Sequence, residues 1–234
     1  MRRVVILALV SAVAVAVAAV AVAAQSPRAL KASILAAGRA QQSVHWVMKA
    51  KNPGSLFTFV TDAGSDQGSQ TLTLKDGTSS AHLTVELVDE TAYVEGDEAG
   101  LVFFQGLTDS EAQMYAGQWI SIPKDDTDYA STAAGLTLSS SLHTFWPSAH
   151  LALVSRKLNG KPVVGVSGTN GKGQNKVNAV VYAPAHGKKL PLELRLTSPS
   201  NKHFSNTFVF SNWNETVTVT APDSSTPIST VRGS

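Results

Sequence analysis

The stretch Ala81-His82-Leu83-Thr84-Val85-Glu86-Leu87 alternates apolar and polar side chains without a break. A strand turns successive side chains to opposite faces, so Ala81, Leu83, Val85 and Leu87 share one face and His82, Thr84 and Glu86 the other. This is the pattern of an antiparallel strand buried on one side only. It recurs in Val44, Trp46, Met48 and Ala50, and in Leu190, Leu192, Leu194 and Leu196 against Glu193, Arg195 and Thr197. Val217 and Val219 repeat it against Thr216, Thr218 and Thr220. Gly54, Asp76-Gly77, Asn159-Gly160, Asn170-Gly171 and His186-Gly187 fall between such runs and read as hairpin turns. Together these signals predict about eleven strands.

Helical signals flank and interrupt the strands. Pro27 follows Ser26 at a first helical position, and Leu30, Ile34 and Ala37 are spaced i, i+4, i+7, which predicts an amphipathic helix from Pro27 to Gln42. The alternation lapses from Ala99 to Tyr115 and from Thr127 to Trp146, where Asp109 ahead of Glu111 reads as the cap and first turn of a short helix. Trp119 to Ile122 is a short strand between them. The expected order is a helix, five strands, a mixed helical insertion, and six strands.

Residues 1–24 are of another kind. Arg2 and Arg3 precede an apolar Val/Ala/Leu/Ile run from Val4 to Ala24, broken only by Ser11, which ends in Ala21-Val22-Ala23. This is the form of a signal peptide; its length also suits an N-terminal membrane anchor that is not cleaved. Either way the remaining chain is expected outside the cytoplasm, secreted, periplasmic or at the cell envelope. A single domain over residues 25–222 is the simplest division, and the Ser/Thr/Pro-rich residues 223–234 read as a flexible C-terminal tail.

Of the 234 residues, 15% are charged, against ~25% in an average soluble protein, and none is cysteine. The absence of cysteine excludes disulfides, thiolate metal sites, a cysteine nucleophile and lipidation through an N-terminal cysteine. From Gln25 onward 17 basic residues meet 17 acidic ones, a balance that argues against nucleic acid as a partner. The halves differ: residues 25–150 carry 7 basic and 14 acidic side chains, and 151–234 carry 10 and 3. Two readings follow. Opposite charges neutralise one another across a shared sheet, or a basic outer surface meets anionic headgroups or glycolipids.

Catalytic motifs do not form. Gly165 to Gly173 is rich in glycine, but Gly173 stands after Lys172 where a phosphate loop needs Ser or Thr, and no helix follows, so a hairpin turn is the reading. The six histidines make no i, i+4 pair, and Asp125, Asp126 and Asp128 form one short acidic run better suited to capping than to calcium. There is no Gly-x-Ser-x-Gly elbow. The expectation is no enzyme, no cofactor and no metal.

The decisive step is one of area. Each alternating strand offers three or four inward apolar side chains, on the order of thirty in all, while the helices available to cover them are few and short. Such a sheet folds into a sandwich, closes as a barrel, or stays a curved half-barrel with helices across its mouth and apolar space beneath. The apolar insertion, with Leu101, Val102, Phe103, Phe104, Leu107, Leu136, Leu142, Phe145 and Trp146, favours the half-barrel and would act as its lid.

The segment Phe208 to Trp213 followed by Val217 to Pro222, the helix-to-strand passage Leu30 to Lys51, the strand Ala92 to Gly96 and the run Gly117 to Pro123 resemble the LppX/LprG-like actinobacterial, mycobacterial lipoproteins. That resemblance implies a LolA-like fold of class α+β: a curved antiparallel half-barrel with helices on its concave face, a hydrophobic cavity, and lipid or lipoglycan carriage at the cell envelope. The lipobox cysteine of that family is missing here. The residues expected to line the cavity and its lid are Trp46, Phe59, Leu83, Val85, Val102, Phe103, Trp119, Leu136, Leu142, Phe145 and Trp146. Expected partners are a lipid or glycolipid ligand and contact with the membrane surface or with envelope transport proteins. The alternative is an envelope-tethered interaction or assembly protein whose core is filled by its own side chains.

Overall fold

The computed structural model describes residues 25–142, 146–173 and 176–233. The leader expected over residues 1–24 therefore lies outside the described residues. Helix α1 (Pro27–Arg39) opens the structure, with the Ser26 hydroxyl accepting the Ala29 N–H and Pro27 in the first turn. Its buried residues are Leu30, Ile34 and Gly38, so the apolar face takes Gly38 rather than the expected Ala37. A Cβ on Gly38 would lie 3.0 Å from Leu142, which shows how closely the helix sits on its neighbours.

A meander of hairpins follows: β1 (Val44–Asn52), β2 (Ser55–Ala63), β3 (Gly68–Asp76), β4 (Ser79–Val88) and β5 (Thr91–Gly96). The helical insertion comprises α2 (Glu98–Gln105), α3 (Asp109–Tyr115), the strand β6 (Ile120–Pro123), α4 (Tyr129–Thr132) and α5 (Leu138–Ser141). Thr108, not Asp109, caps α3; it forms a reciprocal capping box with Glu111, and the Thr108 N–H holds the Glu111 carboxyl below its ordinary value. The second meander is β7 (Ala149–Leu158), β8 (Lys161–Asn170), β9 (Val177–Pro184), β10 (Glu193–Thr197) and β11 (Ser205–Ser211).

β11 returns to pair with β1, which fuses the two meanders into one sheet. With β12 (Thr226–Pro227) on β6, the order is β12-β6-β5-β4-β3-β2-β1-β11-β10-β9-β8-β7. Among the described residues, every pairing between these strands is antiparallel except that of β12 with β6. The sheet is long, open and curved, and the fold is the expected α+β half-barrel. The alternation read from sequence sets which face is buried: across neighbouring strands, Leu194, Phe208, Met48, Phe59, Leu72 and Leu83 stand opposite one another in a single inward row.

Three expectations fail for identifiable reasons. Val217 to Thr220 joins no sheet; the Gln67 amide accepts the Val219 N–H and donates to the Val217 carbonyl, satisfying groups that a strand partner would otherwise pair. The strand expected over Leu190 to Leu196 begins only at Glu193, because Pro191 has no N–H to give a ladder. The tail is not frayed over Thr226–Val231: β12 pairs with β6, and helix α6 (Ile228–Val231) buries Ile228 and Val231. The sheet has twelve strands among the described residues, against about eleven expected.

The core has two parts. Leu30 and Ile34 of α1 pack with Trp46, Val166, Val181, Leu194 and Phe210, joined by Leu138, Leu142 and Trp146 from the insertion. A second cluster unites Leu83, Val85 and Val94 with Leu101, Ala112, Ile120, Ile122, Leu136, Ile228 and Val231. Phe59 packs against both.

Candidate functional site

A cavity of about 430 Å³ lies between the inward face of the sheet and the helical insertion. The sheet supplies Trp46, Met48, Phe59, Leu72, Leu83, Val85, Leu194 and Phe208, so side chains from both core clusters meet around the same space. The insertion supplies Phe104 from α2 and Trp146 from the segment leading into β7. Phe59 and Phe104 meet edge to face at 6.3 Å, and Trp46 lies 5.8 Å from Phe208.

One part of the lining is polar. Gln70 points inward between Thr61 and Val85 in register and donates from Nε2 to the Thr61 hydroxyl at 2.8 Å. The Trp46 indole N–H donates to Ser141 Oγ at 3.0 Å, and Ser141 Oγ lies 2.7 Å from the Gly135 carbonyl. Ser140, Gln105, Ser131, Thr132 and Asp128 complete that side, and Asp128 pairs with Arg232 next to α6. The site thus offers apolar walls for a chain and hydroxyl and amide groups for a polar end.

Two glycines permit this closure. A Cβ on Gly68, at the start of β3, would fall 2.0 Å from the Leu136 carbonyl, so the insertion can cross the end of β3 only over a bare backbone. Gly135 has a φ of +85° and sits against the Trp46 ring, where a Cβ would lie 2.9 Å from the indole.

The expected site residues divide. Trp46, Phe59, Leu83, Val85 and Trp146 line this cavity. Val102 and Phe103 instead line a neighbouring hollow of about 460 Å³ with Leu74, Ala81 and Ala99, where Phe103 is 53% exposed and lies 5.7 Å from Phe57. Leu136 and Leu142 are fully buried core and line neither space. Trp119 is half-buried where its carbonyl receives the Thr226 N–H, beside β12. Phe145 lies outside the described residues.

Sequence reasoning passed over Gln70, and it placed Phe104 in the lid-like insertion but not among the cavity residues. Phe104 follows Leu101 by three residues, the helical spacing that places both on the sheet side of α2 while Phe103 turns outward. Gln70 has the parity of Leu72 and Leu74; alternation alone would have turned it inward, but its polarity masked the pattern.

On the outer face, Glu193 is only 4% exposed although the alternation sets it toward water. Arg156 and Arg195 both pair with it, and the Arg156 guanidinium covers the Tyr182 ring at 4.3 Å. Partial burial, with the Glu95 carboxylate close by, raises the Glu86 carboxyl above its ordinary value.

No family model matches the chain, and no curated protein sequence matches it. Solved structures do. The chain is similar to LprF from Mycobacterium bovis, with 16% identity, 85% of this chain and 98% of that one covered, and a TM-score of 0.50. It is also similar to the lipoprotein LppX of Mycobacterium tuberculosis, at 14% identity over 83% of this chain and 98% of that one, with a TM-score of 0.49. A LolA superfamily protein from Nitrosomonas europaea aligns at 8% identity over 83% and 95% of the two chains, with a TM-score of 0.33. The likeness to LprF is one of fold.

Proposed function

We propose that this protein is an extracytoplasmic carrier that holds the acyl chain of a lipid or lipoglycan in the cavity between sheet and insertion, making and breaking no bond. One observation carries the reading: a space of about 430 Å³ is walled by Trp46, Phe59, Leu83, Phe104 and Phe208 and ends at the Gln70, Ser140 and Ser141 side chains. Moving alkyl surface out of water contributes ~0.8 kcal/mol per methylene, so about ten methylenes supply ~8 kcal/mol, the scale of micromolar binding before ordering costs. The polar side would receive an ester, hydroxyl or amide near the head of the ligand. The signal-like residues 1–24 support placement outside the cytoplasm, and the half-barrel likeness to LprF agrees with a fold built around a concave apolar face. A core filled entirely by its own side chains, the alternative, fits this cavity poorly.

Native mass spectrometry of protein purified from its own host tests the reading. The expected result is an additional apolar mass that organic extraction removes, after which the protein takes up a fluorescent acyl probe. A single clean mass together with no probe uptake would overturn it.

A further inference from the structure

We propose that the outer face of the sheet around β1, β11 and β10 docks on an anionic lipid bilayer. The pairing of β1 with β11 groups α1, β1 and β7 to β11 on one side, within residues 25–52 and 149–211. Those residues carry 14 basic side chains and one acidic one; Arg28, Lys31 and Arg39 belong to α1 on the inward face, while Lys49, Lys51 and Arg195 stand on the outer face of β1 and β10. The acid is Glu193, which is buried between Arg156 and Arg195 and so shows almost no charge of its own to solvent. Residues 53–128, which build β2 to β6, carry 14 acidic side chains and two basic ones. The border between the two fields falls between β1 and β2. Across that strand border the His45 ring nitrogen lies 2.7 Å from the Asp62 carboxylate. Apart from that contact and the Arg232–Asp128 pair, opposite charges lie in separate parts of the sheet, which favours the second of the two readings of the charge asymmetry and gives the molecule an oriented field.

The outer face of the basic half also has the relief of an interfacial surface. Val209, Val47 and Val60 stand opposite one another on adjacent strands, with Val209 46% and Val60 38% exposed. Next to them, Arg195, Thr207 and Lys49 are aligned in register, and Lys51 follows two residues on with the same outward parity. An aliphatic row edged by long cationic side chains suits the boundary between headgroups and acyl chains, where valines enter the apolar edge and Lys and Arg reach phosphate. A nucleic acid would use the same charges but would call for aromatic stacking groups, and the exposed row is aliphatic. The surface goes beyond the carrier reading and is independent of it, because these side chains point away from the cavity.

Sedimentation of the full chain with vesicles tests it, comparing phosphatidylglycerol/phosphatidylcholine mixtures with phosphatidylcholine alone. Arg2, Arg3 and the apolar run that follows them favour anionic vesicles in every sample, so the surface is read from the variants compared with the wild-type chain on the same vesicles. The expected result is binding at least about tenfold tighter to the anionic vesicles, weakening as salt rises from about 0.05 M to about 0.5 M. Lys49→Glu with Lys51→Glu lowers that binding about tenfold or more, Val209→Ser lowers it about threefold, and Asp125→Asn on the acidic half leaves it within about twofold. Uptake of the acyl probe by the same variants reports folding and the cavity separately, so its loss in the wild-type protein bears on the carrier reading alone. Equal binding to both vesicle types, indifference to Lys49→Glu with Lys51→Glu, or stronger capture of single-stranded DNA than of the anionic vesicles would overturn the docking surface.

Discussion

The two halves of the sheet solve the same problem differently. The half built from β1 and β7 to β11 is covered by one 13-residue helix, α1, together with the end of the insertion at Leu138, Leu142 and Trp146. The half built from β2 to β6 is covered by short pieces, α2, α3 and α6, whose Leu101, Ala112, Ile228 and Val231 reach the inward face. The sheet beneath is continuous; its covers are not. The cavity lies at the seam, with Trp46, Trp146 and Leu194 from one cluster and Leu72, Leu83 and Val85 from the other. Open space in this fold follows from an excess of concave sheet over helix, concentrated where two separate covers meet.

If the clusters are separate, damage to each should stay local. Leu101→Ala is expected to lower unfolding free energy by about 2–5 kcal/mol, and Ile34→Ala on the other half by a similar amount, read from urea denaturation. The two losses should add within about 0.5 kcal/mol in the double variant. A coupling well above that would mean one core rather than two.

The seam itself can be blocked without touching either core. Ala134 lines the cavity but is exposed, so Ala134→Trp should weaken binding of a fluorescent acyl probe about tenfold while the thermal midpoint barely moves. Undiminished uptake would move the ligand elsewhere, the hollow beside Phe103 being the first place to look.

A smaller effect is expected where the insertion is fastened to the first cluster. Ser141→Ala takes away the acceptor of the Trp46 indole N–H and should cost about 1–2 kcal/mol of stability. Trp46→Phe also shrinks a buried ring and carries its own cost, so it is the coupling in the double-mutant cycle, about 1 kcal/mol, that isolates the hydrogen bond. Full additivity of the two changes would show that the bond contributes nothing.

The smallest effect separates the charge fields. Glu86 titrates above its ordinary value in the folded protein, chiefly through burial and secondarily through Glu95. A carboxyl so raised favours folding below the unfolded value and loses that contribution as pH rises through the folded value. Glu86→Gln should therefore stabilise the protein at pH 7 by less than about 0.5 kcal/mol, since the site is largely open to solvent, and the gain should vanish below about pH 4. A gain that persists at low pH would assign the effect to packing instead of charge.

Much of this architecture is legible in the chain, and the misses share a cause. The inward row through Leu83, Leu72 and Phe59 follows from alternation, because period two needs no knowledge of partners. Gln70 obeys the same parity but is polar, and Phe104, visible as part of an apolar insertion, is set apart from Phe103 only by the helical phase of α2. Val217 and Val219 alternate as a strand would, yet a single glutamine side chain answers their backbone. Ile228 and Val231 are anchors three residues apart inside a stretch whose Ser, Thr and Pro content conceals them. A linear count divides the charges at residue 150; the β1-β11 pairing moves Lys49 and Lys51 to the basic side, and no linear count contains that pairing.

A crystal of the protein soaked with a bromine-labelled fatty acid gives the most direct test of the seam. Bromine anomalous signal is expected between the Trp46, Phe59, Leu83 and Phe104 side chains, with the carboxyl end toward Gln70 and Ser141. A protein that binds the acid with bromine confined to other surfaces, or whose two covers close over this space and leave it filled by its own side chains, would contradict the account.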